Sequence, residues 1–164
     1  MSRPGAHAPT SSSPVANILT IDVEEYFHPT EVQMSIPREQ WGSLPSRLVP
    51  EMRQLLSLLA ERRVKATFFV LGWVAERMPH LVREIVDEGH EIGCHSHLHS
   101  LVYELTPEQF RRDTNRAVVA IQDAAGVTPR AYRAPSYSVT RESMWALEVL
   151  VECGFTFDSS IYPI

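Results

Sequence analysis

Three histidines fall within six residues at "CHSHLH", Cys94 to His99, in a chain that holds seven histidines in all. Imidazole is a common ligand of divalent transition metals, so the question is which of His95, His97 and His99 can share one ion. If the chain stays extended, His95 and His99 stand ~13 Å apart, too far for one ion, while His95 and His97 share a face about 6.6 Å apart. If the chain turns just after His95, residues four apart bring their Cβ atoms to about 5–6 Å and His97 points elsewhere. The bare spacing allows both. A catalytic metal site commonly has three protein ligands and one position open to water. "TIDVEE", Thr20 to Glu25, offers three carboxylates: Asp22, Glu24 and Glu25. Asp22 and Glu24 share a face if the strand continues. One can then hold a metal while the other acts as general base on an activated water.

Elements that would position these residues alternate along the chain. "NILTID", 17–22, reads as a buried strand ending in a carboxylate. The next segment places Met52, Leu55, Leu56 and Leu59 on one helical face, with Pro50 marking the helix start. "KATFFVLG" reads as a second strand stopped by Gly72, and "PHLVREIVDEG" as a helix from Pro79 that ends at Gly89. "HEIGCH" is a third strand running into the histidines. Thr106 and Gln109 form a capping box with Pro107 at the first helical position, and Phe110, Ala117, Val118, Ile121 and Ala125 make that helix's stripe up to Gly126. "RAYRAP" is a fourth strand, a helix runs from Thr140 to Gly154, and "FTFDSS" is a fifth strand. Such alternation implies a parallel sheet with helical crossovers. Asp22, His95 and Asp158 then lie at or just past the C-terminal ends of strands, with Arg133 near the end of its own, and that edge carries the active site in parallel α/β folds.

The totals narrow the function classes. The chain's 164 residues suit one domain, with 44% hydrophobic and 21% charged residues. A net charge of −5 and the lack of a basic run argue against nucleic acid as a partner. Cys94 and Cys153 form neither a disulfide framework nor a Cys-x-x-Cys motif. Residues 1–16, rich in Pro, Ser, Gly and Ala, read as a disordered tail, with the folded domain spanning 17–164. No secretory signal and no apolar run of spanning length appear, so the expected location is cytoplasmic, without a membrane span.

"TIDVEE", "HSHLH", "RAPSY" and "DSS", in that order and spacing, resemble the NodB-like polysaccharide deacetylases, carbohydrate esterase family 4. Within that family the pattern is most similar to deacetylases of exopolysaccharide and exosortase gene clusters, whose first motif reads Asp-Val-Glu. The resemblance implies an α/β fold, a distorted (β/α) barrel of about seven strands, of which five are legible here. It implies hydrolysis of N-acetyl groups on an amino-sugar polysaccharide or oligosaccharide with a divalent metal, Zn²⁺ being the expected one. His95 and His99 take the family's metal-binding histidines and Asp22 its catalytic base. Val23 stands where the family's metal-binding Asp usually follows, so Glu24 is expected to take that place. Arg133 matches the arginine that orients the base, and Asp158 the acid that holds this arginine. A backbone N–H of Ser136 or Tyr137 is expected in the oxyanion hole. The family's Leu-x-His motif, which supplies the proton for the leaving amine, is absent, so the chain reads as an N-terminal portion of the domain, expected to bind metal weakly and turn over little alone.

Other readings stand beside this one. Another carbon–nitrogen hydrolase of the allantoinase kind, a non-catalytic carbohydrate-binding relative, or a structural metal domain would use the same residues differently. A structural site usually closes with four protein ligands, and three good candidates are present. His97 is expected to be a supporting or solvent-facing residue, Glu25 a solvated neighbour, and His28, His80 and His90 loop or helix-end residues. Cys94 reads as a small buried hydrophobe. Tyr26, Phe27 and Trp41 either line a sugar groove or pack the loop.

Overall fold

The computed structural model describes residues 17–162; the expected tail at 1–16 lies outside the described residues. Five short strands alternate with helices: β1 (Thr20–Val23), β2 (Thr67–Val70), β3 (Glu91–Cys94), β4 (Ala131–Tyr132) and β5 (Phe157–Asp158). The helices are α1 (Thr30–Gln33), α2 (Leu48–Arg62), α3 (Gly72–Arg77), α4 (Pro79–Asp87), α5 (Pro107–Ala125) and α6 (Trp145–Glu152). All strand pairs are parallel and the spatial order is β1-β2-β3-β4-β5. An order that never reverses belongs to a (β/α) barrel rather than to a doubly wound sheet, whose order reverses at a switch point.

Register divides the strand residues into two faces. Asp22 pairs with Phe69 and Phe69 with Gly93, while Val23, Val70, Cys94, Tyr132 and Asp158 follow one another on the next row. Successive side chains alternate between faces. Ile21, Val23, Phe68, Val70, Ile92, Cys94 and Tyr132 therefore point toward the helices, where they join the core with Leu56, Leu81, Ile85, Phe110 and Ile121. Thr20, Asp22, Phe69, Gly93, His95, Arg133 and Ser159 point the other way, toward the barrel interior and its mouth. Gly93 is required there, because a Cβ would lie 2.5 Å from the Phe69 ring.

Boundaries differ from the sequence reading in three places. α2 begins at Leu48, two residues before Pro50. Proline fits there because the first helical N–H groups have no partner within the helix. Gly72 does not only stop β2; it opens α3, a helix the apolar pattern did not reveal. A Cβ at Gly72 would lie 2.4 Å from the His97 ring and 2.7 Å from the Ala117 backbone, so glycine lets α3 pack against α5 and the histidine loop. The last helix is split, with a 3-10 turn at Arg141–Ser143 before α6. The capping box of Thr106 and Gln109 at α5 forms as expected, with bonds of 2.8 and 3.3 Å, and Gly126 ends the helix at φ +72°.

Candidate metal centre

The turn after β3 resolves the spacing of the histidines. His95 continues the strand, its N–H bonded to the Val70 carbonyl at 2.9 Å. Ser96 then enters the left-handed region at φ 65°, and His99 does so at φ 52°. Each non-glycine residue there costs roughly 1 kcal/mol, so the turn needs external support. Its carbonyls at Ser96 and His97 accept from the N–H groups of Gly72 and Trp73, 2.9 and 3.1 Å away at the start of α3. Its N–H groups at His97 and Leu98 donate to the Asp113 carboxylate of α5, at 2.7 and 3.3 Å. The His99 N–H donates to Ser96 Oγ at 3.1 Å. Held this way, the rings of His95 and His99 lie 5.2 Å apart.

Glu24 completes a triad with them. One ligand atom from each of Glu24, His95 and His99 lies within 4.8 Å of the others. His95 Nδ1 donates to the Arg133 carbonyl at 2.8 Å, which leaves Nε2 as its lone-pair nitrogen. Glu24 Oε2 stands 3.1 Å from His99 Nε2 yet is buried with no hydrogen-bond partner. Two ligands on a tetrahedral ion at about 2.0–2.1 Å are separated by about 3.3 Å. An orphaned, buried carboxylate oxygen at that spacing from one imidazole, with a ligand atom of a second within 4.8 Å, fits a divalent metal ion.

The electrostatics agree with this donor set. Burial, then Asp22 and Glu31, push Glu24 up to about 7 in the metal-free protein. Burial, followed by His95, pulls His99 down to about 3, and burial also lowers His95. Both imidazoles are thus neutral and able to ligate at physiological pH, and Glu24 is the group from which an ion must displace a proton.

Asp22 stands apart from the triad. Its Oδ1 accepts from Arg133 Nη1 at 2.9 Å, and its side chain keeps 30% of its exposure, so it faces solvent at the mouth. Arg133 is fixed on every side. Its Nη2 donates to Thr20 Oγ1 and to Ser159 Oγ, both at 2.9 Å, and its guanidinium lies 4.3 Å from the Phe69 ring centroid.

Asp158 does not hold this arginine, contrary to expectation. It sits on the row of Tyr132, facing the helices, while Ser159, one residue on, faces Arg133. The Asp158 carboxylate instead accepts from Ser160 N and Ser160 Oγ, at 2.9 and 2.5 Å, and Ser160 Oγ accepts from Ala134 N at 2.9 Å. It therefore braces the loop after β4 from behind. Tyr137 also differs from its expected place. Its N–H donates to the Ala134 carbonyl at 3.2 Å, so that group is engaged within the turn. Ser136 and Tyr137 both adopt the left-handed region, at φ 49° and 51°, and the Tyr137 ring is half-exposed, 5.7 Å from the Arg133 guanidinium.

Several polar residues are buried where the sequence suggested solvent. His97 is 1% exposed, and burial lowers it to about 4, with Glu76 3.8 Å away. Glu25 is 2% exposed and its Oε2 accepts the Arg47 N–H at 3.2 Å. His28 is wholly buried among Phe27, Trp41 and Trp73, its Nδ1 accepting the Glu25 N–H at 2.9 Å. Phe27 and Trp41, both 1% exposed, pack the loop rather than line a groove, while Tyr26 keeps an exposed face. Cys94 is fully buried, as expected.

A family model described as polysaccharide deacetylase matches residues 46–157. That stretch includes His95, His99, Arg133 and Tyr137; Asp22, Glu24 and Asp158 lie outside it. The chain is 32% identical over 96 residues to the peptidoglycan-N-acetylglucosamine deacetylase of Bacillus cereus, covering 58% of this chain and 35% of that protein. It is 35% identical over 97 residues to the chitooligosaccharide deacetylase of a Bradyrhizobium species, covering 58% of this chain and 42% of that protein. The chain thus spans between a third and a half of the length of these relatives. The family 4 carbohydrate esterase of Streptomyces lividans, solved in complex with acetate, superposes with a TM-score of 0.67 at 27% identity, over 90% of this chain and 62% of that one.

Proposed function

The chain belongs to the polysaccharide deacetylase family, and from that premise we propose that it carries the metal-binding half-site and the general base of an enzyme that removes N-acetyl groups from an amino-sugar polysaccharide or oligosaccharide. The observation that carries this reading is the separation of two carboxylates at one mouth. Glu24 joins His95 and His99 as an unpaired donor, while Asp22 is aimed by Arg133 and left open to solvent.

Glu24, His95 and His99 would hold the ion, zinc by its donor set, and such an ion supplies a Lewis acid and lowers the pKa of water. Asp22 takes the proton from the water that attacks the acetamide carbonyl, and C–N cleavage then needs an acid for the departing amine, the role that the family's Leu-x-His histidine would fill. Arg133 fixes the Asp22 carboxylate, and is itself held by Thr20 and Ser159. The Ser136 N–H, in the strained turn after β4, is the donor assigned to the developing oxyanion, since the Tyr137 N–H is engaged. The half-exposed Tyr137 ring offers a face to the sugar. The Asp22-Val23-Glu24 order, which sets the third ligand two residues from the base, supports a place among deacetylases of exopolysaccharide clusters.

Acetate release from N-acetylated chitooligosaccharides with added zinc tests the reading, with allantoin as the competing substrate. We expect little release from the 164 residues alone and, from a chain that also carries a Leu-x-His segment, release that His95→Ala abolishes. Ureide hydrolysis alone, or glycan binding without turnover that Asp22→Asn leaves unchanged, would contradict it.

A further inference from the structure

We propose that Gln33 is a positioning residue that sets the geometry of the metal centre by stapling the loop that carries Glu24 to the turn that carries His99; this rests on reading Glu24, His95 and His99 as metal ligands. Gln33 ends α1, a helix of four residues with none buried. Its one side chain packed against the core is the half-buried Val32. Its last side chain nonetheless reaches across 66 residues of sequence. Nε2 lies 2.6 Å from the His28 carbonyl, 3.2 Å from the His99 carbonyl and 3.4 Å from His99 Nδ1. The two protons of one amide suffice for the two carbonyls, one on each ligand-bearing loop.

The orientation of that amide is fixed by its other end. Gln33 Oε1 accepts from Arg38 Nη2 at 3.3 Å, and the same nitrogen donates to Ser100 Oγ at 3.0 Å, one residue past His99. The Arg38 guanidinium lies over the ring of the buried Trp41, 5.8 Å from its centroid. Rotating the amide would set its NH₂ against a guanidinium and its oxygen against two carbonyls.

Both ends of the staple bear directly on ligands. His99 is held in the left-handed region, and Gln33 is the side chain that takes its carbonyl. On the other loop, the His28 N–H donates to the Glu25 carbonyl at 2.9 Å, and His28 Nδ1 accepts the Glu25 N–H at 2.9 Å. That closed turn begins one residue after Glu24, so anchoring the His28 carbonyl anchors the Glu24 backbone. Partners of this kind behind metal ligands typically contribute 10–100-fold in affinity.

Cobalt(II) titration of the metal-free protein, followed by visible absorption, tests the staple without requiring turnover. Gln33→Met keeps the length of the side chain and removes its donors. We expect cobalt affinity to fall about tenfold, with altered band intensity, while the metal-free thermal midpoint stays within about 3 °C of the wild type. Arg38→Met, which frees only the far end of the amide, should fall between the two. Unchanged cobalt affinity and spectrum in Gln33→Met would overturn the proposal. So would loss of its cooperative unfolding, because Gln33 would then support the fold and not the site. Failure of the wild type to bind cobalt more tightly than His99→Ala would overturn it together with the metal reading. Cobalt binding that Gln33→Met weakens, with no acetate release even from a chain that also carries a Leu-x-His segment, would leave the staple standing and sink only the deacetylase reading.

Discussion

Two clusters share the mouth of this sheet and are built on opposite terms. Around Arg133 every charge has a partner: Asp22, Thr20 and Ser159 take its N–H groups, and Phe69 takes its face. Around His99 the polar groups outnumber their partners. Glu24 Oε2 and His28 Nε2 are buried without hydrogen bonds, and burial holds Glu24 near 7 and His99 near 3. Buried polar groups left unpaired cost stability. The first cluster is thus part of what holds the strands together, and the second carries unpaired polar groups at a cost in stability. A site that stores such cost is where function and stability should pull apart.

Substitutions at the two clusters should then behave differently. The largest effect is expected on turnover: in a chain that also carries a Leu-x-His segment, Asp22→Asn should reduce any acetate release by roughly 10²–10⁴-fold, the usual range for a positioned base. Arg133→Met should impair both activity and fold, lowering stability by about 3 kcal/mol in chemical denaturation, because it strands Asp22 and breaks the tie between β1, β4 and β5. The Glu24 site should show the reverse sign. A raised pKa means the folded metal-free protein resists ionising Glu24, so stability is lost as pH rises from about 4.5 to about 7. Glu24→Gln removes that cost. It should stabilise the metal-free protein by about 2–3 kcal/mol at pH 8 and leave it unchanged at pH 4. Denaturant midpoints at the two pH values read this directly, and equal stability at pH 8 would erase the contrast between the clusters. The smallest effect is expected behind the histidine turn. Asp113→Asn keeps one acceptor for the His97 and Leu98 N–H groups, and should cost about 1–2 kcal/mol with faster exchange of those two amides.

Legibility in the sequence followed the range of each interaction. The alternation of strands and helices is local, and so are the capping box at Thr106 and the stop at Gly126; all were readable. The placement of Asp22, His95 and Arg133 at one edge followed from strand ends alone. Asp158 was misread because its role depends on strand parity: the residue that meets Arg133 is fixed by the β4–β5 register, which puts Ser159 on that row. Gln33 and Asp113 escaped notice because they act from 66 and 15–16 residues away on backbone groups, and no spacing rule reports that. Burial of Glu25, His28 and His97 was likewise invisible, since local polarity predicts solvent and only tertiary packing overrides it. α3 was missed because six residues are too few to show a period.

The measurement closest to the central claim is zinc affinity in Glu24→Gln and Asp22→Asn beside the wild type, by competition with a chelator at pH 7.5. If Glu24 is the third ligand and Asp22 the base, Glu24→Gln should bind zinc at least tenfold more weakly while Asp22→Asn stays within a few-fold of the wild type. Loss of zinc in Asp22→Asn with wild-type binding in Glu24→Gln would contradict the assignment of the two carboxylates.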